Sequence, residues 1–461
     1  MVDQRERWTS RLGFILAAAG SAIGLGNLWK FPFITWDNEG GAFVYVYLVA
    51  IAIVGMPIMI AEVLIGRRTQ KSPVGALRES FGPRWSWVGG LGVMTGFVLL
   101  SYYLIIAGWT LRYFVRCMDW SLNGFDASAD LGAGFGAFVA RGGIQILLAV
   151  IFMTATVWVV YRGIGRGIER VARVLMPTLL GILLLLLVSA LSMEGAGEAL
   201  SFIFEPDFSR LEPAGWLEAL GHSFFTLSLG MGAMITYGSY LKRRESVVSA
   251  GAVVVVLDTV IAFIATVIMF SVIFSVPGMT EQVGKSTVGM LFITLPQLFY
   301  TVVPFGQVLA PLFYVLVAFA ALTSTISLLE VVSSYLMDEK KMPRRQAVMI
   351  CGGVILVVSA LCGLSFGAWA PISTFVVIPG KPGLFSLLDH LVSNWFLPVG
   401  GFFITFGTGW LMSREETFAE LIDERTPGWF HYGIWRVFIR YVAPLAVAGI
   451  IVAVIAGKDF S

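Results

Sequence analysis

Charge is scarce in this chain, and the scarcity is informative. Aspartate, glutamate, lysine and arginine make up 13% of 461 residues, hydrophobic residues 57%, and the mean hydropathy is +0.84. Soluble domains carry roughly 25% charged residues, so that class is excluded. The formal net charge of +2 says little by itself, because topology depends on where lysines and arginines sit. Cysteine is equally thin. Cys117, Cys351 and Cys362 form no metal-ligand spacing and read as small apolar fillers rather than redox or metal-binding groups. No Walker loop, HExxH helix, GxSxG nucleophile elbow or basic nucleic-acid patch occurs, nor any other catalytic constellation. An enzyme is not expected. The N-terminal MVDQRERWTSR lacks the short apolar core and small-residue cleavage site of a leader, so nothing there reads as removable.

Long apolar runs take the place of charge. A helix crosses a bilayer in about 20 apolar residues. Hydropathy and length predict eleven spans, roughly 11–36, 42–66, 88–114, 143–161, 174–191, 216–241, 248–274, 304–336, 345–365, 387–412 and 436–456. The expected class is an all-α polytopic membrane protein. Arg5, Arg7 and Arg11 precede the first span, and Arg67, Arg68, Lys71, Arg78 and Arg84 follow the second. Arg162, Arg166, Arg170 and Arg173 follow the fourth, Lys242, Arg243 and Arg244 the sixth, and Lys340, Lys341, Arg344 and Arg345 the eighth. All fall on one side if every span crosses once, and the positive-inside rule makes that side cytoplasmic. The alternate loops are acidic, with Asp119, Asp126 and Asp130 in one and Glu194, Glu198, Glu205, Asp207 and Glu212 in another. The N-terminus is then cytoplasmic, and the odd count puts the C-terminal KDFS outside a cell inner (plasma) membrane.

The stretch RLGFILAAAGSAIGLGNLWKFPFITW is long enough to cross but cannot be one plain helix. Its centre carries Gly20, Ser21, Gly24, Gly26 and Asn27, and glycine costs roughly 1 kcal/mol against alanine inside a helix. Two arrangements satisfy it: a glycine-rich face that lets helices approach closely, or an opened backbone that lines a cavity and binds an ion or anion there. Asn27, with Trp29-Lys30-Phe31-Pro32 just after it, favours a site. A second interrupted span, 216–241, holds Thr226-Leu-Ser228-Leu-Gly230-Met-Gly232. It lies five spans later, so the two run in opposite directions, as inverted repeats with a midplane site require; two independent packing faces are the alternative.

Polar residues elsewhere in the spans fit such a site. Glu62 ends the second span, and Asp258 sits within AVVVVLDTVIAFIA. An intramembrane aspartate costs about 2.5–3.5 kcal/mol and so faces a cavity or partner, as an ion ligand, a packing carboxyl or a proton relay. Thr323, Ser324, Thr325 and Ser327 put four hydroxyls in five residues of the eighth span, which favours a binding face over simple bonds back to the helix. Tyr102 and Tyr103 lie inside an apolar run and favour a hydrogen bond within the bundle over an interfacial belt.

RWTSRLGFILAAAGSAIGLGNLWKFPF, GGAFVYVYLVAIAIVGMPIMIAEVLIGR, SFFTLSLGMGAMITYGSYL and AALTSTISLLE occur in that order. Together they resemble the neurotransmitter:sodium symporter family, over residues 5 to about 456, and most of all its bacterial eleven-span amino-acid transporters. The resemblance implies the LeuT-type fold, with five-plus-five inverted repeats, broken helices 1 and 6, and an added eleventh helix. Residues 1–191 would form the first repeat, 192–412 the second, and 413–461 a cytoplasmic loop with the eleventh helix. Spans 1, 2, 6 and 7 would move as a bundle against a scaffold.

The implied cargo is two sodium ions and an amino acid; the lipid bilayer is the other partner, with no obligate protein partner inferred. The first sodium would meet the Ala22 carbonyl, Asn27, Thr226, Asp258 and the substrate carboxylate. The second would meet the carbonyls of Gly20, Ile23 and Ala320 with the hydroxyls of Thr323 and Ser324. The substrate carboxylate would meet the backbone of Leu25 and Gly26 and the Tyr103 hydroxyl. Its amino group would meet the carbonyls of Ala22, Phe225 and Thr226, near Ser228, and its side chain Ser21, Leu99, Phe225, Met231, Ser324 and Leu328. Amine transporters of the family carry aspartate where Gly24 stands, so a substrate with its own carboxylate is favoured. Met231 stands where the family often has phenylalanine, and methionine adapts to different shapes, which predicts tolerance of large aliphatic and aromatic side chains. Asp258 stands where a sodium-ligand asparagine is usual and Ala262 where some bacterial members place glutamate. The expectation is chloride independence, with a pH dependence from Asp258.

The gates carry over in the same way. Lys30 and Asp389 would form an outer ion pair, looser than an arginine pair because lysine lacks the bidentate fork, with Tyr103 and Phe225 closing a lid below. Arg5 and Asp338 would form an inner pair, with Trp8 packed under the bundle and Tyr240 nearby. Gly167 and Pro177 match the family's Gly-x9-Pro motif, whose implied role is local unwinding of the fifth span; a plain proline near a span start is the other reading. A proton-coupled carrier using Asp258 or Glu62, and a non-transporting amino-acid sensor, remain the alternative functions.

Overall fold

The computed structural model describes residues 6–276 and 287–460. The first span is two helices, Arg11–Ala22 and Gly26–Asp37, bent by 51° at the break. The second runs over Gly41–Thr69, the third over Pro83–Asn123, the fourth over Gly142–Tyr161 and the fifth over Ile164–Leu191. Pro213–Thr226 and Ala233–Gly238 form the broken sixth span. Val247–Phe274, Gly306–Lys340, Arg344–Leu364, Gly383–Leu411 and Tyr432–Ile455 are the seventh to eleventh. Both expected interruptions are therefore present, and the chain is an all-α polytopic membrane protein whose one sheet among the described residues is a two-stranded hairpin, Val376–Ile378 with Lys381–Pro382.

Several boundaries differ from the hydropathy reading. The fifth span starts ten residues earlier than expected, so Arg166, Arg170 and Arg173 ride on helix rather than in a loop. Arginine stems lie along apolar surface while the heads stay in water, which hydropathy scores as an ended helix. The third and eighth spans likewise extend past their expected ends. Short helices Pro73–Phe81, Leu131–Val139, Ala196–Phe204 and Leu295–Thr301 occupy connections where no element was expected. In the last connection Ser413 and Glu416 form a capping box on Arg414–Leu421.

Layering follows from side-chain exposure. The second, third and eighth spans are mostly enclosed by protein, whereas the fourth, fifth, ninth and eleventh present apolar side chains such as Leu147, Val188, Val354 and Leu445 outward. Apolar exposure on that scale is what a bilayer, not water, covers. The expected alternation of loops also appears as contacts. Arg67 pairs with Glu420, Arg344 with Glu6, and Lys242 donates to the Thr9 carbonyl, gathering the arginine-rich connections at one end of the bundle.

Wide, π-type turns recur. Among the described residues there are seven, and in five of them a proline stands two residues past the turn: Pro32, Pro57, Pro296, Pro398 and Pro444. Each time the residue before the proline donates to the carbonyl five back, as Phe31 does to Gly26 and Leu397 to Val392. Proline has no N–H to give, and its ring crowds the carbonyl four back, so the helix widens by one residue rather than breaking. The fifth span widens over Ile164–Glu169 and then runs unbroken through Pro177. Gly167 lies in the widened turn, where a Cβ would sit 2.1 Å from the Val159 carbonyl; close backbone approach is what requires glycine there.

Candidate functional site

The break in the first span frees specific backbone groups. Ile23 is extended (ψ 91°) and donates to Ala19, closing the first half-helix. The next donors then leave the helix: Gly24 N–H goes to Asn27 Oδ1 (3.2 Å) and Leu25 N–H to the Tyr103 hydroxyl (3.4 Å). The carbonyls of Gly20 and Ser21 lose the partners a continuous helix would supply. Ser21's accepts from Ser228 Oγ at 2.9 Å. The sixth span is opened over Leu227–Gly232, with Ser228 (φ 54°), Gly230 (80°) and Gly232 (76°) left-handed. Glu62, fully buried, holds this segment by accepting from Gly230 N–H at 2.7 Å.

Asp258 is the centre of the first cluster. It is fully buried and accepts from Asn27 Nδ2 at 2.8 Å and from Thr226 Oγ1 at 3.1–3.2 Å. Among the described residues no lysine, arginine or histidine pairs with it. A buried carboxylate without a cation is costly, and neutral oxygens beside one carboxylate form a donor set for a small hard cation. No group of three His, Cys, Asp or Glu side chains occurs among the described residues, which is the donor set a transition metal takes.

The second cluster lies between the first and eighth spans. Thr323 and Ser324 both donate to the Ala320 carbonyl, at 2.9 and 3.2 Å. Gly20 faces them, with room for a Cβ only 3.0 Å from Thr323 Cβ. Thr325 points away and bonds Thr156 of the fourth span, while Ser327 bonds Ser21 Oγ at 2.7 Å.

One cavity of about 40 Å³ joins these groups. Its walls include every residue expected to touch substrate: Ser21, Ala22, Leu25, Gly26, Leu99, Tyr103, Phe225, Thr226, Ser228, Met231, Ser324 and Leu328. Gly24 and Ser327 complete the wall. Ser327 was signalled by its three-residue offset from Ser324, which puts both on one helix face. A side chain at Gly24 would crowd the wall: a Cβ would lie 2.8 Å from Ser324 Oγ and 3.3 Å from the Tyr103 hydroxyl.

The residues expected at the gates lie at the ends of the bundle, with the contacts that follow. Trp8 is buried, donates through its indole to the Tyr237 carbonyl at 2.9 Å, and packs edge-on against Tyr240. Tyr240 donates to Glu330 at 2.6 Å, and Glu330 also pairs with Arg344 at 2.7 Å. Glu169, likewise unanticipated, accepts from Thr9 N–H at 2.7 Å and from Ser10 Oγ at 3.1 Å. Both carboxylates sit in apolar or arginine-rich runs, and an intramembrane or helix-buried glutamate is the signal that could have flagged them. Asp338 accepts from Ser72 N–H at 2.6 Å; its expected partner Arg5 lies outside the described residues. The expected outer pair does not form. Lys30 Nζ bonds the Phe460 carbonyl at 2.9 Å and lies 4.8 Å over the Phe225 ring, while Asp389 accepts from Ser393 at 3.3 Å. The lysine is taken by a backbone oxygen that the hydropathy reading leaves outside the bundle.

Two broken spans meet at a small, mostly apolar pocket with hydroxyls in its wall, the arrangement of a secondary transporter rather than an enzyme. The family model "Sodium:neurotransmitter symporter family" matches residues 5–129 and 133–459, and the chain belongs to that family. The uncharacterized sodium-dependent transporter YhdH of Bacillus subtilis is 36% identical over 453 residues, covering 97% of each chain. The sodium- and chloride-dependent taurine transporter of Rattus norvegicus is 26% identical, covering 94% of this chain and 76% of that one. The crystal structure of MhsT in complex with L-phenylalanine is similar throughout, with a TM-score of 0.86 and 38% identity, over 97% of this chain and 99% of that one.

Proposed function

We propose that this protein is a sodium-coupled symporter that imports hydrophobic L-amino acids, aliphatic and aromatic, by alternating access. The observation that carries the reading is Asp258, a buried carboxylate bonded to Asn27 and Thr226 beside the broken first span, with no cationic side chain on it among the described residues. A sodium ion supplies the missing charge, and the Ala22 carbonyl completes its ligands. A second sodium takes the Ala320 carbonyl, Thr323 and Ser324 with Gly20 and Ile23. The phenylalanine bound to MhsT supports an amino-acid substrate, and the closed space at Gly24 favours one that brings its own carboxylate. That carboxylate meets Leu25, Gly26 and Tyr103, and the side chain lies against Met231 and Leu328.

Each positive charge entering down 100 mV contributes about 2.3 kcal/mol before any concentration term, enough to accumulate a zwitterion. The arginine-rich end is cytoplasmic, so Trp8 and Glu330 close the inner side and Lys30 and Phe225 the outer. Because Asp258 carries its own charge and Ala262 offers none, transport is independent of chloride. Binding of labelled leucine and tryptophan to purified protein, with sodium replaced by choline, tests the reading. Saturable binding of both only in sodium is expected. Binding that ignores sodium overturns the coupling and moves the weight to a proton-coupled carrier, for which the buried Glu62 oxygen left without a partner is the supporting feature.

A further inference from the structure

The chain continues past the end of the eleventh span at Ile455. Gly457 (φ 98°) turns the chain back, with Lys458 N–H on the Ala453 carbonyl at 2.9 Å, and the next three residues run into the bundle. Lys458 Nζ lies 3.8 Å from Glu218 of the sixth span. Asp459 pairs with Lys381 of the hairpin at 2.7 Å, lies 3.5 Å from His390, and accepts from Asn394 Nδ2 at 2.8 Å in the tenth span. Phe460 donates its N–H to Asn394 Oδ1 at 2.8 Å, and its carbonyl takes Lys30 of the first span. The Phe460 ring lies over Gly221, about 3.5 Å from where a Cβ would be, and walls a small cavity with Phe224, Phe225 and Leu397. Phe225 lines both that cavity and the central pocket.

We propose that Lys458–Phe460 is a detachable strap across the outer entrance, tying the first and sixth spans to the tenth span and the hairpin, and that its release admits substrate. Three features support this. The strap's charges complement what they meet: lysine on glutamate, and aspartate on lysine. Its Asn394 contact is two-pronged, side chain to side chain and side chain to backbone, which fixes position rather than merely attracting. It also gives Lys30, the lysine expected to bridge the entrance to Asp389, a backbone oxygen to bond instead. The proposal rests on alternating access at this pocket, and its test is chosen to be independent of substrate.

Ser393 lines the strapped cavity, and all three native cysteines are buried. The full chain carrying Ser393→Cys, in sodium without amino acid, is treated with a charged, membrane-impermeant methanethiosulfonate, and the labelling rate is measured. The same is done with Asp459→Asn added and, separately, with the chain stopped after Gly457; monodisperse elution and an unchanged melting point in sodium report folding. A rise of threefold or more in both strap variants is the expected result. A smaller change in either variant, or maximal labelling with the strap intact, overturns the proposal. Labelled phenylalanine uptake by the unmodified protein reports separately on whether it transports at all.

Discussion

Replacing Asp258 with asparagine removes one charge and little else. The side chain stays isosteric, Asn27 Nδ2 keeps an oxygen to bond, and Thr226 can accept as well as donate. The attraction for a cation is lost. Two unit charges about 4 Å apart at an effective dielectric of 20 interact by about 4 kcal/mol, or about a thousandfold in affinity. Sodium at 100 times its Kd stabilises the wild-type fold by about 2.7 kcal/mol; the same sodium at a thousandfold weaker Kd contributes less than about 0.1 kcal/mol. Thermal melting of purified Asp258→Asn in sodium chloride and in choline chloride measures the difference. The sodium-induced rise is expected to shrink to the share of the Thr323–Ser324 cluster, and the sodium-free variant to melt above the sodium-free wild type, because the unpaired buried charge is gone. With gluconate in place of chloride, the residual sodium response of the variant, unlike that of the wild type, should fall, since an anion from solution must now stand in for the carboxylate. An unchanged sodium response in Asp258→Asn, indifferent to chloride, would refute both the ligand assignment and the account of chloride independence. Protons compete with sodium for the same oxygens, so wild-type sodium affinity should decline as pH falls and that of the variant should not.

Two more outcomes concern the pocket wall. Gly24→Ala places a methyl 2.8 Å from Ser324 Oγ; overpacking costs about 1–3 kcal/mol, so labelled phenylalanine should bind at least fivefold more weakly, and unchanged affinity would show that the substrate lies elsewhere. Met231→Phe replaces an adaptable chain with a rigid ring, and should lower the ratio of tryptophan to leucine affinity at least fivefold in competition binding; an unaltered ratio would remove Met231 from the side-chain pocket.

The wall of the central cavity is legible in the sequence because its parts leave marks in one dimension. Glycines inside an apolar run, a hydroxyl cluster at helical spacing and a lone intramembrane aspartate are all unfavourable in lipid, so each points to a compensating role. The family resemblance carried by long motifs then assigns residues such as Leu99, Met231 and Leu328, which no local pattern distinguishes from ordinary core. The missed features are of another kind. Glu169 and Glu330 act through partners distant in sequence or on another helix, Thr9 and Arg344, and their pairing exists only once the helices are packed. The family pattern pairs Lys30 with Asp389; the competing oxygen of Phe460 lies 430 residues away, past the last span, where hydropathy registers only an ending. The early start of the fifth span is hidden by its own arginines.

The wide turns set how rotation passes through the molecule. Each holds one residue beyond the α-helical hydrogen-bond spacing, so the helix past it is turned by about 100° against the phase established before it. The first, second, fifth, tenth and eleventh spans each contain such a phase slip, while the third and eighth, helical over Ser86–Asn123 and Gly306–Lys340, contain none among the described residues and pack along each other. A twist begun at one end of a jointed span can be absorbed where the ladder is already loose; along the unjointed pair it has nowhere to go but the far end. The pocket, walled by Leu99 and Tyr103 on one of those stiff helices and Ser324 and Leu328 on the other, is thus referenced to the part of the protein least able to change phase.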